Sequence, residues 1–76
     1  MTSSTEANVE LMRDEYKMYC RLTRDLYRCP SDDPELDLVR DELELLRDMT
    51  EWPAMRQRCV DALNADDLFR LRARRA

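Results

Sequence analysis

Apolar residues separated alternately by three and four positions run through the first third of the chain. The series consists of Val9, Met12, Tyr16, Tyr19, Thr23 and Leu26. In an α-helix this spacing places every member in one seam, the pattern of helices that pack against each other. The seam predicts a first helix over about residues 5–28.

The same predicted helix carries a second apolar stripe, about 110° round from the seam at 100° per residue. Its members are Leu11, Met18, Leu22 and Cys29. A helix with one neighbour needs only one apolar stripe, so two stripes indicate two neighbours. We therefore expect the first helix to contact a second element on one side and a further element or another chain on the other.

A proline-bounded break separates the first helix from the second. Pro30 disfavours helix in the preceding residue, whereas Asp33 is a suitable N-cap and Pro34 suits the first helical position. The second helix is predicted over about residues 34–50. Its seam consists of Leu36, Val39, Leu43, Leu46 and Thr50. Its second apolar set consists of Leu38, Leu45, Met49 and Trp52.

The last third of the chain contains two further helix signals. Thr50 can cap a helix in which Pro53 lies in the first turn, which predicts a third helix over residues 51–63. A cap-like arrangement at residues 64–67 predicts a fourth, short helix over residues 65–75. The C-terminal tail is expected to fray.

The composition favours an all-α fold. The chain of 76 residues has no glycine, few β-branched residues and no segment that alternates apolar and polar side chains. We predict one small domain over residues 1–76, a helical bundle of three or four helices built around an antiparallel, coiled-coil-like helical hairpin.

The residues needed for catalysis or metal binding are scarce. The chain has no histidine, and the spacing of Cys20, Cys29 and Cys59 does not fit a zinc knuckle. The paired acids Asp32–Asp33 and Asp66–Asp67 lie at predicted helix starts, where capping explains them. The sequence therefore predicts no enzyme, no cofactor, no metal and no catalytic residue.

An odd number of cysteines without a secretory signal favours an intracellular reducing compartment, the nucleus or the cytoplasm. No apolar run approaches the roughly 20 residues that span a bilayer, so no membrane association is expected.

Charge is segregated along the chain, whose net charge is −4. The segment Asp32–Asp48 has eight acidic and two basic residues, which fits either an ordinary solvated helix face or an acidic face that docks a basic partner. Residues 53–76 carry an excess of basic side chains. The candidate basic contacts are Arg70, Arg72, Arg74 and Arg75. Nucleic acid is nevertheless an unlikely partner on these residues, because no aromatic side chain is interleaved with the arginines.

The apolar width of the predicted hairpin exceeds what a two-helix contact covers, which predicts a non-enzymatic protein–protein interaction module, an adaptor or complex subunit. The predicted partner-binding residues are Leu11, Tyr16, Met18, Tyr19, Leu22, Leu38, Leu45 and Trp52. Tyr16, Tyr19 and Trp52 are the expected anchors.

Three alternatives remain open. The hairpin can pair with a second copy as a homodimeric helical bundle regulator. The basic tail can serve a nucleic-acid-binding accessory protein. The later helices can also cover one stripe themselves, which would give a self-contained bundle.

One short motif resembles a known family. Leu26-Tyr27-Arg28 spells the tripeptide of the LYR-motif mitochondrial assembly factors. In that family the tripeptide lies early in the first helix, whereas here it ends the predicted helix. The acidic balance of the chain also departs from that family, so membership is disfavoured.

The chain as a whole resembles the very small regulatory proteins of gammaherpesviruses. It is short, acidic and cysteine-bearing, it is predicted to be helical, and a Tyr19-Cys20-Arg21-Leu22 run lies near its start. Some such viral proteins are adaptor subunits of a virus-encoded late-gene pre-initiation complex. The resemblance concerns overall character and transfers no functional residue. It implies a non-catalytic nuclear adaptor in transcription regulation.

Overall fold

The protein is an all-α bundle. The computed structural model describes residues 4–75, with side chains described for residues 9–74. Its helices are α1 (Ser4–Arg28), α2 (Glu35–Met49) and α3 (Pro53–Arg75). No strand occurs in residues 4–75. The predicted fold class is confirmed, with three helices rather than four.

Short connections make each helix antiparallel to the next, so α1 and α3 run in the same direction. Contacts at both ends of these two helices confirm this topology. Arg58, early in α3, lies over the Tyr16 ring, whereas Arg70, late in α3, contacts the Cys29 carbonyl beyond the end of α1. All three helices contact one another around a single core.

The turn between α1 and α2 follows the local sequence. The backbone N–H of Glu35 donates a hydrogen bond to the Asp33 carboxylate at 2.9 Å, and Pro34 immediately precedes α2. Acidic residues lie in the first turn of α2 and Arg47 lies in the last, as the helix dipole favours. The Asp33 side chain therefore supports the start of α2 as predicted, although α2 begins at Glu35 and not at Pro34.

The predicted boundary at residues 64–67 is wrong, because α3 continues through it. Asp66 does not cap a helix. Its carboxylate instead accepts hydrogen bonds from Arg40 of α2 and from Arg70 one turn further along α3. Asp66, whose sequence position resembles a cap, is therefore used in a tertiary contact, and the backbone of α3 stays helical through this position.

Leucines dominate the buried core. Its buried apolar members are Leu22, Leu26, Leu36, Leu43, Leu46, Met55, Cys59 and Leu63. The predicted seam of α2 is confirmed, with Thr50 also buried and Val39 partly buried. The predicted seam of α1 is only half right, because Val9, Met12 and Tyr16 remain exposed.

A cluster of charges joins all three helices at one end of the bundle, and we call it the Asp66 junction. Asp66 accepts from Arg40 at 2.6 Å and from Arg70 at 2.9 Å. The Arg70 guanidinium also donates to the Leu26 and Cys29 carbonyls at 3.2 and 3.0 Å. Because carbonyls at a helix end lack helical partners, Arg70 stabilises the end of α1 as well as the buried carboxylate.

A second polar contact joins the helices at the opposite end. The Thr50 hydroxyl donates to the Glu15 carboxylate at 2.8 Å and accepts from the Trp52 N–H at 3.2 Å. Arg56 donates to the Thr50 carbonyl at 3.1 Å. Thr50 therefore ends α2, holds the Trp52 N–H just before α3, and ties both to α1. The predicted start of the third helix at residue 51 is wrong, because α3 begins at Pro53.

Replacing Arg70 with methionine is expected to lower the free energy of unfolding by about 3 kcal/mol, because Asp66 loses one of its two arginine partners and the α1 carbonyls lose a donor. Urea denaturation followed by circular dichroism measures the loss. Arg72→Met is the matched control, since Arg72 is exposed on the same helix. Equal stability of the two variants would contradict the structural role assigned to Arg70.

Candidate functional site

Large apolar side chains remain exposed along α1 and α2, and we call this set the hairpin stripe. Its members are Leu11, Met18, Leu38, Leu45 and Met49, which are 43 to 69% exposed. Four of the five are predicted partner-binding residues. The stripe is therefore an apolar surface that the described chain leaves uncovered.

Helix geometry places the hairpin stripe on the side of α2 away from α3. Leu38 precedes Arg40 by two residues and so lies about 160° from it round the helix. Since Arg40 contacts α3 through Asp66, Leu38 faces away from α3. Leu38 and Leu22 of α1 line the same shallow groove. The exposed surface around Leu38 therefore continues onto α1.

The surroundings of the hairpin stripe on α2 are acidic. The acidic residues of α2 are Glu35, Asp37, Asp41, Glu42, Glu44 and Asp48. Both arginines of this helix are already paired, Arg40 with Asp66 and Asp67 and Arg47 with Asp48. Within residues 9–74, Glu42 is the one acidic residue of α2 that pairs with a cation of α1. It lies 4.0 Å from Arg21, and both side chains are exposed. The stripe therefore lies in a negative field that suits a basic partner.

Two of the predicted partner-binding residues require correction. Leu22 is 1% exposed and belongs to the core, because it lies where α1 meets α2 rather than on the outer side of α1. Tyr19 is partly buried and packs against the same core. Burial raises the pKa of Tyr19 despite the nearby Arg58, which acts in the opposite direction. Neither residue is an exposed anchor.

The other two predicted anchors, Tyr16 and Trp52, lie on a different face, in an apolar groove of about 560 Å³ between α1 and α3. We call it the α1–α3 groove. Its apolar lining consists of Val9, Met12, Tyr16, Trp52, Ala54 and Met55. Arg13, Lys17 and Arg58 complete the lining, and the Arg58 guanidinium lies 5.4 Å from the centre of the Tyr16 ring.

Sequence reasoning missed Met12, Met55 and Arg58 as members of this groove. The predicted seam of α1 includes Met12, whereas the structure exposes this side chain. The missing information was the parallel arrangement of α1 and α3, which brings their first halves side by side. A smaller groove of about 360 Å³ continues the same face, with Tyr27 and Phe69 among its exposed members.

The predicted basic contact surface is smaller than expected. Arg70 is committed to the Asp66 junction and to the Ser31 hydroxyl at 2.8 Å, so it is withdrawn from the candidate contacts. Arg72 and Arg74 are exposed on α3. The side chain of Arg75 lies outside the described residues.

The three cysteines differ in environment. Cys20 is exposed, Cys29 is half-buried beyond the end of α1, and Cys59 is buried in the core. Burial and the neighbouring Asp33 raise the pKa of the Cys29 thiol, although Arg70 acts against them. Burial, together with Glu15, also raises the pKa of the Cys59 thiol. A raised pKa leaves less thiolate, so neither thiol is activated as a nucleophile.

Comparison with known protein families, curated proteins and solved structures gives no match for this chain. Within the described residues, no group of three or more histidine, cysteine or acidic side chains has the arrangement of a metal site. None of the helices in this part of the chain has the length and apolar character of a membrane span.

Cys59 makes the stability of the fold sensitive to alkaline pH. The folded thiol holds its proton above the usual pKa of 9.0, so the unfolded chain ionises first as the pH rises. Its stabilising contribution is therefore present below about pH 9 and declines above it. Cys59→Ala is expected to cost roughly 1 kcal/mol at pH 7 through lost packing and to flatten this decline. Urea denaturation at several pH values tests both effects, and parallel curves for the two proteins would contradict the assignment.

Proposed function

We propose that the protein is a non-enzymatic helical interaction module that acts as an adaptor or small subunit of a larger assembly. The observation that carries this proposal is the hairpin stripe, which keeps Leu38, Leu45 and Met49 well exposed on one side of a regular helix. Exposed apolar side chains grouped on adjoining helices are typical of a protein interface.

The size of the core supports the same conclusion. A chain of 76 residues buries a smaller fraction of its surface than a larger domain does, and no disulfide links its three cysteines. A partner that covers the hairpin stripe binds the folded state alone and therefore stabilises it. Under this proposal, binding of the partner to the hairpin stripe both carries out the function and raises the free energy of unfolding.

The chemistry of the chain supports a binding role. The sequence has no histidine, and two of its three thiols have a raised pKa. The buried carboxylate Asp66 is paired with two arginines, so it has a structural explanation. These features favour recognition through surface complementarity over covalent or acid–base catalysis.

The proposed partner presents apolar side chains within a basic surface, such as a basic amphipathic helix. Apolar contact with the hairpin stripe supplies affinity, and the acidic side chains of α2 supply orientation and a faster association rate. Because exposed charges are screened by salt, the association rate falls as ionic strength rises. The acidic surroundings also oppose the alternative in which two hairpin stripes pair in a homodimer.

The resemblance to small gammaherpesvirus proteins suggests one kind of assembly. Under this proposal the module is a nuclear adaptor within a viral late-gene transcription complex. Affinity capture from the native host, with mass spectrometry, distinguishes this assembly from others. Recovery of transcription proteins would support the proposal, and recovery of unrelated cytoplasmic complexes alone would overturn this part of it.

Leu38→Asp combined with Leu45→Asp is expected to abolish binding of the protein captured by the wild type, because it places two charges in an apolar contact. Both side chains are exposed, so circular dichroism should show that most of the helicity is retained. Binding of the purified partner is measured by titration calorimetry. Asn64→Asp combined with Ala73→Asp adds the same charge at exposed positions on α3 and is the matched control.

Two results would contradict the assignment of the hairpin stripe. Unchanged binding by the double variant would place the interface elsewhere. Loss of helicity would show that Leu38 and Leu45 belong to the core. Sedimentation equilibrium of the wild type decides the homodimer alternative, since the proposal expects a monomer when the partner is absent.

A further inference from the structure

The α1–α3 groove combines an apolar lining with a basic rim, although the protein carries a net charge of −4. We propose that this groove is a second docking site that binds an acidic amphipathic helix of a partner protein. The site lies about 110° round α1 from the hairpin stripe and shares no residue with it.

The shape of the groove fits a helix. Val9, Met12 and Tyr16 follow one side of α1. Trp52, just before α3, and Met55 of α3 line the facing side. The eight residues from Val9 to Tyr16 span about 10 Å along the helix axis, or about two turns. A docked helix of that length presents apolar anchors at positions i, i+3 or i+4, and i+7, the usual pattern of helix-in-groove recognition.

The charges on the rim select an acidic helix. Arg13 and Lys17 lie one helical turn apart on α1, and Arg58 lies on α3 across the groove. None of the three forms an ion pair with a carboxylate among residues 9–74. The Arg58 guanidinium is held over the Tyr16 ring, a cation–π contact that keeps it at the groove. Carboxylates on both flanks of a docked helix therefore meet cations on both edges.

Two other occupants fit the groove less well. The acidic α2 of a second copy has suitable chemistry. A closed dimer would then need each copy to present its groove and its α2 surface to the same partner, whereas the two lie on different faces of the bundle. The shared net charge of two copies also opposes it. A fatty acid supplies one carboxylate, whereas the groove presents three cations along two edges.

Trp52 provides the assay, because it is the single tryptophan of the chain and lies in the groove. The probe is a synthetic amphipathic peptide of about 16 residues, roughly four helical turns, with leucine anchors and glutamates on its polar flanks. Titration of the full-length protein is expected to shift the Trp52 emission to shorter wavelength, saturably and more weakly at high salt. A peptide with lysine in place of each glutamate is expected not to bind.

Variants of the rim test the charge requirement. Arg13→Glu, Lys17→Glu and Arg58→Glu together are expected to weaken binding of the acidic peptide at least roughly tenfold. The matched control makes the same change at exposed arginines of α1 outside the groove, namely Arg21→Glu, Arg24→Glu and Arg28→Glu. The control is expected to retain most of the affinity, and circular dichroism verifies the fold of both variants.

A second variant keeps the test decisive if the triple variant unfolds. Ala54→Glu places a carboxylate in the groove within the first turn of α3, where the helix dipole favours negative charge and the fold is expected to persist. This variant should also lose the acidic peptide. The variant with Leu38→Asp and Leu45→Asp should bind it normally, so failure of the groove and failure of the hairpin stripe are distinguishable.

Several results would overturn the proposal. Equal binding of the acidic peptide by the wild type and the triple variant would do so, as would equal binding of the basic peptide. A concentration-dependent Trp52 shift without peptide, matched by dimerisation in sedimentation, would identify a second copy as the occupant. Saturable binding of octanoate without any binding of the peptide would identify a lipid site instead.

Discussion

Two arginines from different helices share one buried carboxylate, and this contact determines how the bundle is assembled. Asp66, with 6% of its side chain exposed, accepts from Arg40 of α2 and Arg70 of α3. A buried charge is costly unless it is paired, so both arginines are held in place. Because Arg70 also contacts the Leu26 and Cys29 carbonyls, α3 is fixed beside α2 and against the end of α1.

This arrangement explains why α1 has apolar surface on two sides. The core is closed where Leu22 and Leu26 meet the other helices, near the Asp66 junction. Towards the start of α1, Met12 and Tyr16 face α3 across an open groove, while Leu11 lies on the outer side with the hairpin stripe. The bundle therefore has one apolar face flanked by the acidic residues of α2 and one apolar groove with a basic rim, and the two proposals assign them partners of opposite charge.

Local sequence patterns predicted the parts of the structure that depend on a single helix. The 3.6-residue period identified Leu36, Leu43 and Leu46 as the buried face of α2, and the position of Asp33 identified its cap. Asp66 shows where such reasoning fails, since capping and arginine binding need the same short acidic side chain. The partner of Asp66 on α2, Arg40, lies 26 residues away in sequence, so no local pattern indicates it. The α1–α3 groove is likewise formed only when α1 and α3 pack in parallel.

Solvent exposure of individual methyl groups in the monomer tests the central claim most directly, namely that this chain leaves the outer face of its hairpin uncovered. The measurement is paramagnetic relaxation of methyl NMR signals by a soluble gadolinium chelate. We expect strong broadening for Leu11, Leu38 and Leu45 and little for Leu22 and Leu43, which are buried. Protection of the first three methyl groups equal to that of Leu43 in a verified monomer would contradict the account.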